Sequence, residues 1–424
     1  MRRLTPIDSQ GVKAGGAHPP RLVWAAGVAV MVLAGLAGLG IFIEKEPYGF
    51  DLWAYVLAGR HLLSGDPLYP PHPQVPAGPL GEYHYAPIVA VPFVLLAPLP
   101  FSLANAVWIG LNTGVAAAIG VHLIRPLPRD ARPWAAAAFV FFLPTILEIS
   151  LGNLNILTVA LCLLAWSQRA RPSVAGTILA VAIGTKLLPL TLILFYLGAG
   201  RIRIVVWTVA VGAAGLLVTA LVFSRDFPTY VAMLIAFKDS QWATEFIARA
   251  SPAGVAAFMN SPVGIPLLSV IAVATATVGG LAARRDRRDE THLHHVALAF
   301  APYLAPFGLL WLPYLVFALP LLASTLHRAL LLPQALTRAL LIPALAVSWL
   351  LMQVVGREDD ITPIAAHFLG LLLLLAVALA VLVLARREPA PEGVLTERVV
   401  HHRHRGVIRI RSADAGKTVD DVRL

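Results

Sequence analysis

Long uninterrupted apolar runs constrain this chain more than any other feature. The run from Leu369 to Ala385, LGLLLLLAVALAVLVLA, carries no charge, and runs of similar character recur along the 424 residues. A helix needs about 20 apolar residues to cross a bilayer, and backbone groups in lipid must hydrogen-bond within their own segment. The runs do not alternate as the strands of a membrane β-barrel do. The sequence therefore predicts an all-α polytopic membrane protein.

Composition narrows the class of partner. Hydrophobic residues make up 58% of the chain and charged residues 13%, whereas soluble domains have about 45–50% and about 25%. The net charge of +10 comes from basic residues in the short segments that flank the apolar runs. This is the positive-inside pattern of membrane proteins, and it argues against nucleic acid as a partner.

The single cysteine, Cys162, excludes an intrachain disulfide and a cysteine-based metal site. We expect no cofactor.

Charge and hydropathy together predict a multi-pass plasma-membrane protein of about twelve transmembrane helices with both termini in the cytoplasm. Residues 1–21 form a cytoplasmic N-terminal segment, and the transmembrane domain spans 22–385. Its first run, Leu22 to Ile43, is too long for a signal-peptide core and predicts a retained anchor. The basic tail 386–424 predicts a disordered cytoplasmic segment.

Two long outer loops, about 44–85 and 224–261, interrupt the predicted spans, and loops of this length are usually functional. The run from Trp134 to Trp166 predicts a helical hairpin broken at SLGNLN. The run from Val174 to Ala199 holds Lys186 and Pro189 near its middle. We expect two half-helices there, which meet at the outer face.

The first outer loop contains GFDLWAYVLAGRHLLSGDPLYPP, with a carboxylate at the start of a helical pattern, Asp51–Ser64. The predicted apolar face consists of Leu52, Val56, Gly59 and Leu63. The segment therefore predicts an amphipathic helix in the interface plane. Two interpretations of Asp51 stay open. An acid in the first turn stabilises a helix, and a carboxylate facing a pocket accepts a proton from an incoming hydroxyl as a general base.

Ionisable residues at membrane depth are costly and are functional candidates by default. Lys186 needs an anionic partner unless its ammonium snorkels to the interface; a phosphate is the anion that a lysine point charge suits. Arg249, in FIARASP, is a second candidate for the same anion or an interface anchor. Glu148, one turn before the predicted break, is expected to pair locally.

Further polar residues are candidates for lining an outer pocket. Glu82, His84 and Tyr85 lie in GEYHYAPI, where the first loop returns to the membrane. Asn153 and Asn155 lie at the break of the hairpin, where they either bind a polar ligand or cap the helix.

The order of these segments resembles glycosyltransferase family 87, the polytopic GT-C-type enzymes of actinobacteria, across roughly Phe50 to Leu322. The early Asp is followed by GDPLY, YHYAPI, SLGNLNILTVALCLLAW, AGTILAVAIGTKLLPL and WLPYLVFALPLL. Lys186 matches a Lys–Pro-like element, although Leu187 and Leu188 separate it from Pro189. Gly152 to Asn155 matches a Gly-Gln-x-Asn element, with Asn153 in place of Gln.

The resemblance implies a GT-C fold and an inverting hexosyltransferase, by analogy a mannosyltransferase, that uses a polyprenyl-phosphate-sugar donor without a metal. It implies that Asp51 is the general base and that the active site lies on the outer face. The acceptor is then an envelope glycolipid or polysaccharide. Many members carry Trp-x-His-His before the late apolar segment; here Trp311 is followed by Leu312 and Pro313, and Tyr314 stands at the second His position.

Two other functions remain open at this stage. A transporter or flippase for a lipid-linked or small substrate explains the spans and Lys186, but not the long first loop, and no internal repeat is evident. A non-catalytic partner in a cell-envelope complex is compatible with the altered Trp311–Tyr314 segment.

Overall fold

The computed structural model describes residues 48–69, 83–238, 264–286, 289–300, 312–332, 334–354 and 362–387. The regular secondary structure in these ranges is entirely helical, which confirms the predicted class. The chain divides into two compact units, Met1–Val381 and Leu382–Leu424; of the second, only 382–387 are described. The predicted anchor, most of the tail, and the candidates Glu82, Arg249 and Trp311 lie outside the described residues.

The helices of the described ranges are numbered here in chain order. They are α1 (Phe50–Ser64), α2 (Phe101–Ile124), α3 (Arg132–Val140), α4 (Leu143–Leu151), α5 (Asn155–Ser167), α6 (Pro172–Thr185), α7 (Thr191–Gly198), α8 (Ile202–Val222), α9 (Phe227–Lys238), α10 (Gly264–Arg285), α11 (Asp289–Ala297), α12 (Leu319–Leu331), α13 (Ala335–Leu351) and α14 (Thr362–Arg387). Short 3₁₀ segments cover Pro87–Leu95, Arg129–Ala131, Leu188–Leu190 and Leu312–Ala318.

Four helical segments in the described ranges are long and apolar enough to cross a membrane: Phe101–Ile124, Ile202–Val222, Tyr314–Leu331 and Ala366–Ala385. A fifth is formed if Arg129–Val140 and Leu143–Leu151, which meet at 44°, make one broken span. Shorter apolar helices, among them α5 and α6, accompany them. The protein is therefore embedded in a membrane, while the total of about twelve spans stays a prediction.

Helix α1 forms where the sequence predicted it. Gly49 and Gly65 flank it, both with φ of 76°, a left-handed conformation that glycine adopts without steric cost. Leu52, Val56 and Gly59 of the predicted apolar face are buried, whereas Leu63 is exposed. Its position in an interface plane stays a prediction.

The buried face of α1 packs against the 3₁₀ segment Pro87–Leu95. A Cβ at Gly59 would lie 2.6 Å from the carbonyl oxygen of Phe93, so this close approach requires glycine. Pro100 then precedes α2. The apolar stretch 86–124 is thus a short 3₁₀ segment followed by one long helix.

Both predicted helix breaks are present. The chain leaves α4 at Gly152 and starts α5 at Asn155, and it leaves α6 at Lys186 and resumes helix after Leu187. Helix α5 packs on α6, α6 on α8, and α7 on α10. The two breaks therefore belong to packed neighbours, which places the residues at these breaks near one another.

Candidate active site

The N-terminal end of α1 is fastened to the break between α4 and α5. The amide of Gly49 donates a hydrogen bond to the carbonyl oxygen of Ser150 over 2.8 Å. Trp108 Nε1 donates to the carbonyl oxygen of Gly152 over 2.7 Å. Gly152 has φ of 76°, and a Cβ there would lie 2.7 Å from Cβ of Leu52. These contacts fix the first turn of α1 against the break between α4 and α5.

Asp51 points from this first turn to the break itself. Its Oδ2 accepts a 2.7 Å hydrogen bond from Nδ2 of Asn153, whose own Oδ1 accepts 2.6 Å from the amide of Leu154. The asparagine is thus oriented so that its donor end faces the carboxylate. Among the described residues, the carboxylate accepts no hydrogen bond from its own helix, which favours the pocket interpretation over a helix cap.

Burial and charge act on Asp51 in opposite directions. Burial raises the pKa of its carboxyl above the usual value, while the ammonium of Lys186 and the hydrogen bond from Asn153 both lower it. Because burial dominates, the group is a stronger base than an exposed aspartate. A carboxylate with a raised pKa is better matched to accepting a proton from a hydroxyl near neutral pH.

Lys186 lies in extended conformation between α6 and the 3₁₀ segment Leu188–Leu190, with its side chain buried. Its Nζ lies 4.3 Å from the ring centroid of Tyr314 and 5.9 Å from that of Tyr85. These are cation–π distances. Nζ donates no hydrogen bond to any residue that the structure describes. A buried ammonium between two rings does not snorkel, so the geometry favours the anion-binding interpretation.

Glu148 is a second buried acid beside this cation. It is fully buried on α4, and its two carboxylate oxygens accept hydrogen bonds from the amide and the Nδ2 of Asn155, over 2.5 and 2.8 Å. This confirms the predicted local pairing. Lys186 interacts electrostatically with both Glu148 and Asp51. The buried ammonium of Lys186 therefore faces two carboxyl groups.

A pair of tyrosines closes the cluster on the side of the first loop. Tyr55 donates a 2.9 Å hydrogen bond from its hydroxyl to the hydroxyl of Tyr85, and their ring centroids lie 5.2 Å apart. Tyr55 lies one turn after Asp51 on α1, so both side chains project to the same face. The tyrosines thus connect the helix of the acid to the ring beside Lys186.

The far end of α1 is held by the start of the second loop. The amide of Leu68 donates to Oδ1 of Asp226 over 2.9 Å, and Nη1 of Arg225 donates to the carbonyl oxygen of Gly65 over 3.0 Å. The rings of Tyr69 and Tyr230 stack at 5.9 Å. Contacts at both of its ends therefore hold α1 in place and fix the direction of Asp51.

The structure brings most of the described candidates together. Six of them form one connected set: Asp51, Tyr85, Asn153, Asn155, Lys186 and Tyr314. Together with Glu148 and Tyr55, these residues are called the acid–lysine cluster below. His84 is half-buried and burial lowers the pKa of its imidazole; its place in the pocket stays a prediction. Within the described ranges, no three His, Cys, Asp or Glu side chains converge as metal ligands do.

Sequence reasoning placed neither Glu148 nor Tyr55 in the pocket. Glu148 carried a signal, because it is a charge within an apolar run one turn before a glycine break. Tyr55 carried a weaker one, its four-residue spacing from Asp51. An aromatic residue on a membrane-surface helix is ordinarily an interface anchor. The sequence therefore offers no reason to predict the hydrogen bond between Tyr55 and Tyr85.

Comparison with known proteins decides the family. The profile described as Glycosyltransferase family 87 matches residues 83–301, slightly more than half of the chain. The chain belongs to glycosyltransferase family 87. The matched residues include Glu148, Asn153 and Lys186, whereas Asp51 and Tyr314 lie outside the match.

This family 87 member also resembles a curated protein of Mycolicibacterium smegmatis. That protein is named a polyprenol-phosphate-mannose-dependent alpha-(1-2)-phosphatidylinositol mannoside mannosyltransferase. Identity is 26% over 205 residues, which are 43% of this chain and 46% of the relative. The alignment therefore spans just under half of the relative's length. No solved structure is significantly similar to the chain.

Proposed function

We propose that this family 87 member is a hexosyltransferase that transfers mannose from a polyprenyl-phosphate-mannose donor to an envelope glycolipid or polysaccharide. The observation that carries the proposal is the pairing of Asp51 with Asn153 beside the buried ammonium of Lys186. A sugar transfer from a lipid phosphate needs a base and a cation close to each other, and the acid–lysine cluster supplies both.

The proposed reaction is a single displacement. The carboxylate of Asp51 takes the proton of an acceptor hydroxyl as the hydroxyl oxygen attacks the anomeric carbon of the mannose. A new glycosidic C–O bond forms, and the bond between the anomeric carbon and the phosphate oxygen breaks. Attack from the face opposite the phosphate inverts the anomeric configuration. The proton ends on Asp51, and the bonding electrons leave with the polyprenyl phosphate.

In this proposal Lys186 stabilises the leaving phosphate. The phosphate gains charge as its bond to the sugar breaks, and a preorganised cation in a water-poor site stabilises that charge strongly. Nζ holds no hydrogen-bond partner among the described residues, so its three donors are available to phosphate oxygens. Arg249 is proposed as a second cation for the same phosphate.

The donor sets the proposed position of the site. A polyprenyl phosphate keeps its tail in the bilayer, so the acid–lysine cluster lies at membrane level on the extracytoplasmic side, within a GT-C fold of about twelve spans. Glu82, His84, Tyr85, Asn155, Trp311 and Tyr314 are proposed to line the substrate pocket. The printed name of the mycobacterial relative supports both the donor and a phosphatidylinositol-mannoside-like acceptor.

The proposal is tested by donor choice. Purified protein in lipid nanodiscs is supplied with an envelope lipid extract and one labelled donor: polyprenyl-phosphate mannose, polyprenyl-phosphate glucose or a nucleotide-linked mannose. We expect one acceptor lipid to gain the mass of one hexose, only with the first donor. Anomeric configuration of the product is read by nuclear magnetic resonance.

Each of the other outcomes would overturn a specific element of the proposed function. Transfer from the glucose donor overturns mannose but keeps the lipid-phosphate chemistry. Transfer from the nucleotide donor overturns the membrane-level phosphate site. If the labelled donor crosses the bilayer with no acceptor gaining mass, the protein is a transporter of the lipid-linked sugar and the enzyme proposal is wrong.

A further inference from the structure

A separate cavity of about 410 Å³ lies where the ends of α5, α7 and α10 meet. Its volume is within the range of small-ligand pockets, about 300–1,000 Å³. The lining includes both apolar and charged side chains: Trp166, Ala199, Arg201, Ala283, Arg284 and Asp286. We call it the arginine cavity.

The arginine cavity is distinct from the acid–lysine cluster. Helix α5 begins at Asn155, which holds Glu148, and Trp166 lies eleven residues further along the same helix. At 1.5 Å per residue the two positions are separated by roughly 16 Å. Helix α7 likewise runs from beside the Lys186 break to Ala199 at the cavity. The two sites therefore lie at opposite ends of the same helices.

The cavity carries an excess of positive charge. Arg201 uses Nη1 to donate a 3.0 Å hydrogen bond to the carbonyl oxygen of Arg169, and its other N–H groups donate to no described residue. Arg284 is exposed and donates no hydrogen bond to any described residue. The acid of the lining, Asp286, forms an ion pair with Arg328 at 3.6 Å, which offsets its charge.

Helix dipoles do not cancel this excess. The C-terminal ends of α5, α7 and α10 each carry about half a negative charge, and a share of the arginine charge balances them. Arg169 stacks on the ring of Trp166, a residue of the lining, at 4.5 Å. A guanidinium presents five donors in a planar fork that matches the oxygens of a phosphate.

The surroundings of the cavity indicate the source of the phosphate. Leu281 lies three residues before Arg284 on α10, hence on the same face of the helix, and it is 42% exposed. Leu197, at the end of α7, is 44% exposed. Exposed leucines one turn from exposed arginines suit an amphiphile, whose head meets the cations while its chains meet the leucines.

We propose that the arginine cavity binds the phosphate headgroup of an anionic phospholipid. Basic pockets between membrane helices, at the level of the headgroups, bind such lipids. The cavity lies at the end of α5 away from the acid–lysine cluster, roughly 16 Å along the helix, so a headgroup held there is out of reach of Asp51 and the bound lipid is neither donor nor acceptor of the transfer. The site is independent of the proposed enzymatic activity.

The test measures lipid binding to the intact protein by native mass spectrometry in detergent. Phosphatidylglycerol, phosphatidylcholine and inorganic phosphate are titrated separately. The variants are Arg201→Gln, Arg284→Gln and Ala199→Trp, which fills the cavity without changing charge. Arg203→Gln is the matched control, because Arg203 is an exposed arginine of α8 outside the lining. Elution volume in gel filtration verifies folding.

We expect the wild type and Arg203→Gln to prefer phosphatidylglycerol over phosphatidylcholine. Arg201→Gln and Arg284→Gln weaken phosphatidylglycerol binding about tenfold each, as the loss of a charge-assisted hydrogen bond does, and Ala199→Trp abolishes the preference. An equal loss in Arg203→Gln reduces the effect to general surface charge and overturns the proposal. Binding of inorganic phosphate as tight as that of the lipid, with the same arginine dependence, overturns the lipid assignment. No preference in the wild type overturns the site.

Discussion

The two ends of α5 and α7 use charge in opposite ways. At the acid–lysine cluster, Glu148 and Lys186 are buried, and each faces an oppositely charged group or an aromatic ring. At the arginine cavity, Arg284 is exposed and Asp286 keeps an ion pair with Arg328. Buried charges are expensive in a membrane protein, so the first end is built for chemistry, whereas half-exposed cations at the second suit reversible binding.

This contrast predicts how variants behave. Removing one buried charge leaves its partners uncompensated and costs several kcal/mol. Removing an exposed charge costs little, because water replaces the lost partner. Substitutions that remove a charge from the acid–lysine cluster are therefore expected to lower both turnover and stability. Substitutions in the arginine cavity are expected to change only lipid binding.

The largest expected effect is that of Asp51→Asn, which keeps the size of the side chain and removes the base. Turnover falls by roughly 10²–10⁴-fold, the usual worth of general-base assistance. Thermal stability falls less than it does on loss of Lys186, because Glu148 still faces the ammonium. Asp226→Asn is the control, since the amide oxygen still accepts from the amide of Leu68. If both variants lose activity equally, the loss reflects the position of α1 rather than proton transfer.

The next effect is that of Lys186→Met. It leaves Asp51 and Glu148 without the cation that both face, so we expect turnover to fall by roughly 10²–10³-fold and stability by about 3 kcal/mol. Single-turnover kinetics and thermal unfolding measure the two. Lys186→Arg restores charge, and it should recover part of both losses; a stable and active methionine variant contradicts the role of the ammonium.

Substitutions of Tyr314 distinguish its ring from its hydroxyl. The ring faces Nζ of Lys186 at 4.3 Å, and a buried cation–π contact is worth about 1–2 kcal/mol. Tyr314→Ala is expected to lower kcat/KM about tenfold, while Tyr314→Phe stays near the wild type because phenylalanine keeps the ring face. An equal loss in both variants assigns the role to the hydroxyl instead.

The smallest effect is expected at the other end of the helices. Arg201→Gln should leave turnover within about twofold of the wild type, because roughly 16 Å of helix separate its cavity from the acid–lysine cluster. The measurement is initial rate at saturating donor. A large loss of turnover would show that the arginine cavity and the acid–lysine cluster are functionally coupled, which would contradict their independence.

Much of the helical pattern follows from the sequence alone. The glycine-flanked helical pattern predicts the limits of α1, and a lysine in an apolar run predicts the break at Lys186. These are local signals, since each depends on residues close in sequence. The predicted total of about twelve spans rests on hydropathy. Hydropathy alone does not distinguish short apolar helices such as α5 and α6 from helices long enough to cross the membrane.

The contacts of the candidate site could not be predicted from local sequence patterns, because they join distant segments of the chain. The hydrogen bond between Asp51 and Asn153 joins residues 102 positions apart. Nothing in the local pattern near Tyr55 indicates that Tyr85 is its partner. The position of Asp51 at the start of a helix and the family resemblance identify it as a candidate. Its contacts with Asn153 and Lys186 depend on how the helices pack and are seen only in the structure.

The central claim, that the ionised carboxylate of Asp51 accepts the proton, is tested most directly by the pH dependence of turnover. The wild type is compared with Asn153→Ala and with Asn112→Ala. Asn112 is buried, and its side chain donates to Trp108 of its own helix and to no other residue that the structure describes. Turnover needs the carboxylate, so it falls as pH drops through the raised pKa of Asp51.

Asn153→Ala removes a hydrogen bond that favours the charged form, so it raises that pKa further. The acid limb of its profile is predicted to move to higher pH, while that of Asn112→Ala stays with the wild type. An acid limb that does not move with Asn153 would assign the titrating group to another residue and contradict the account.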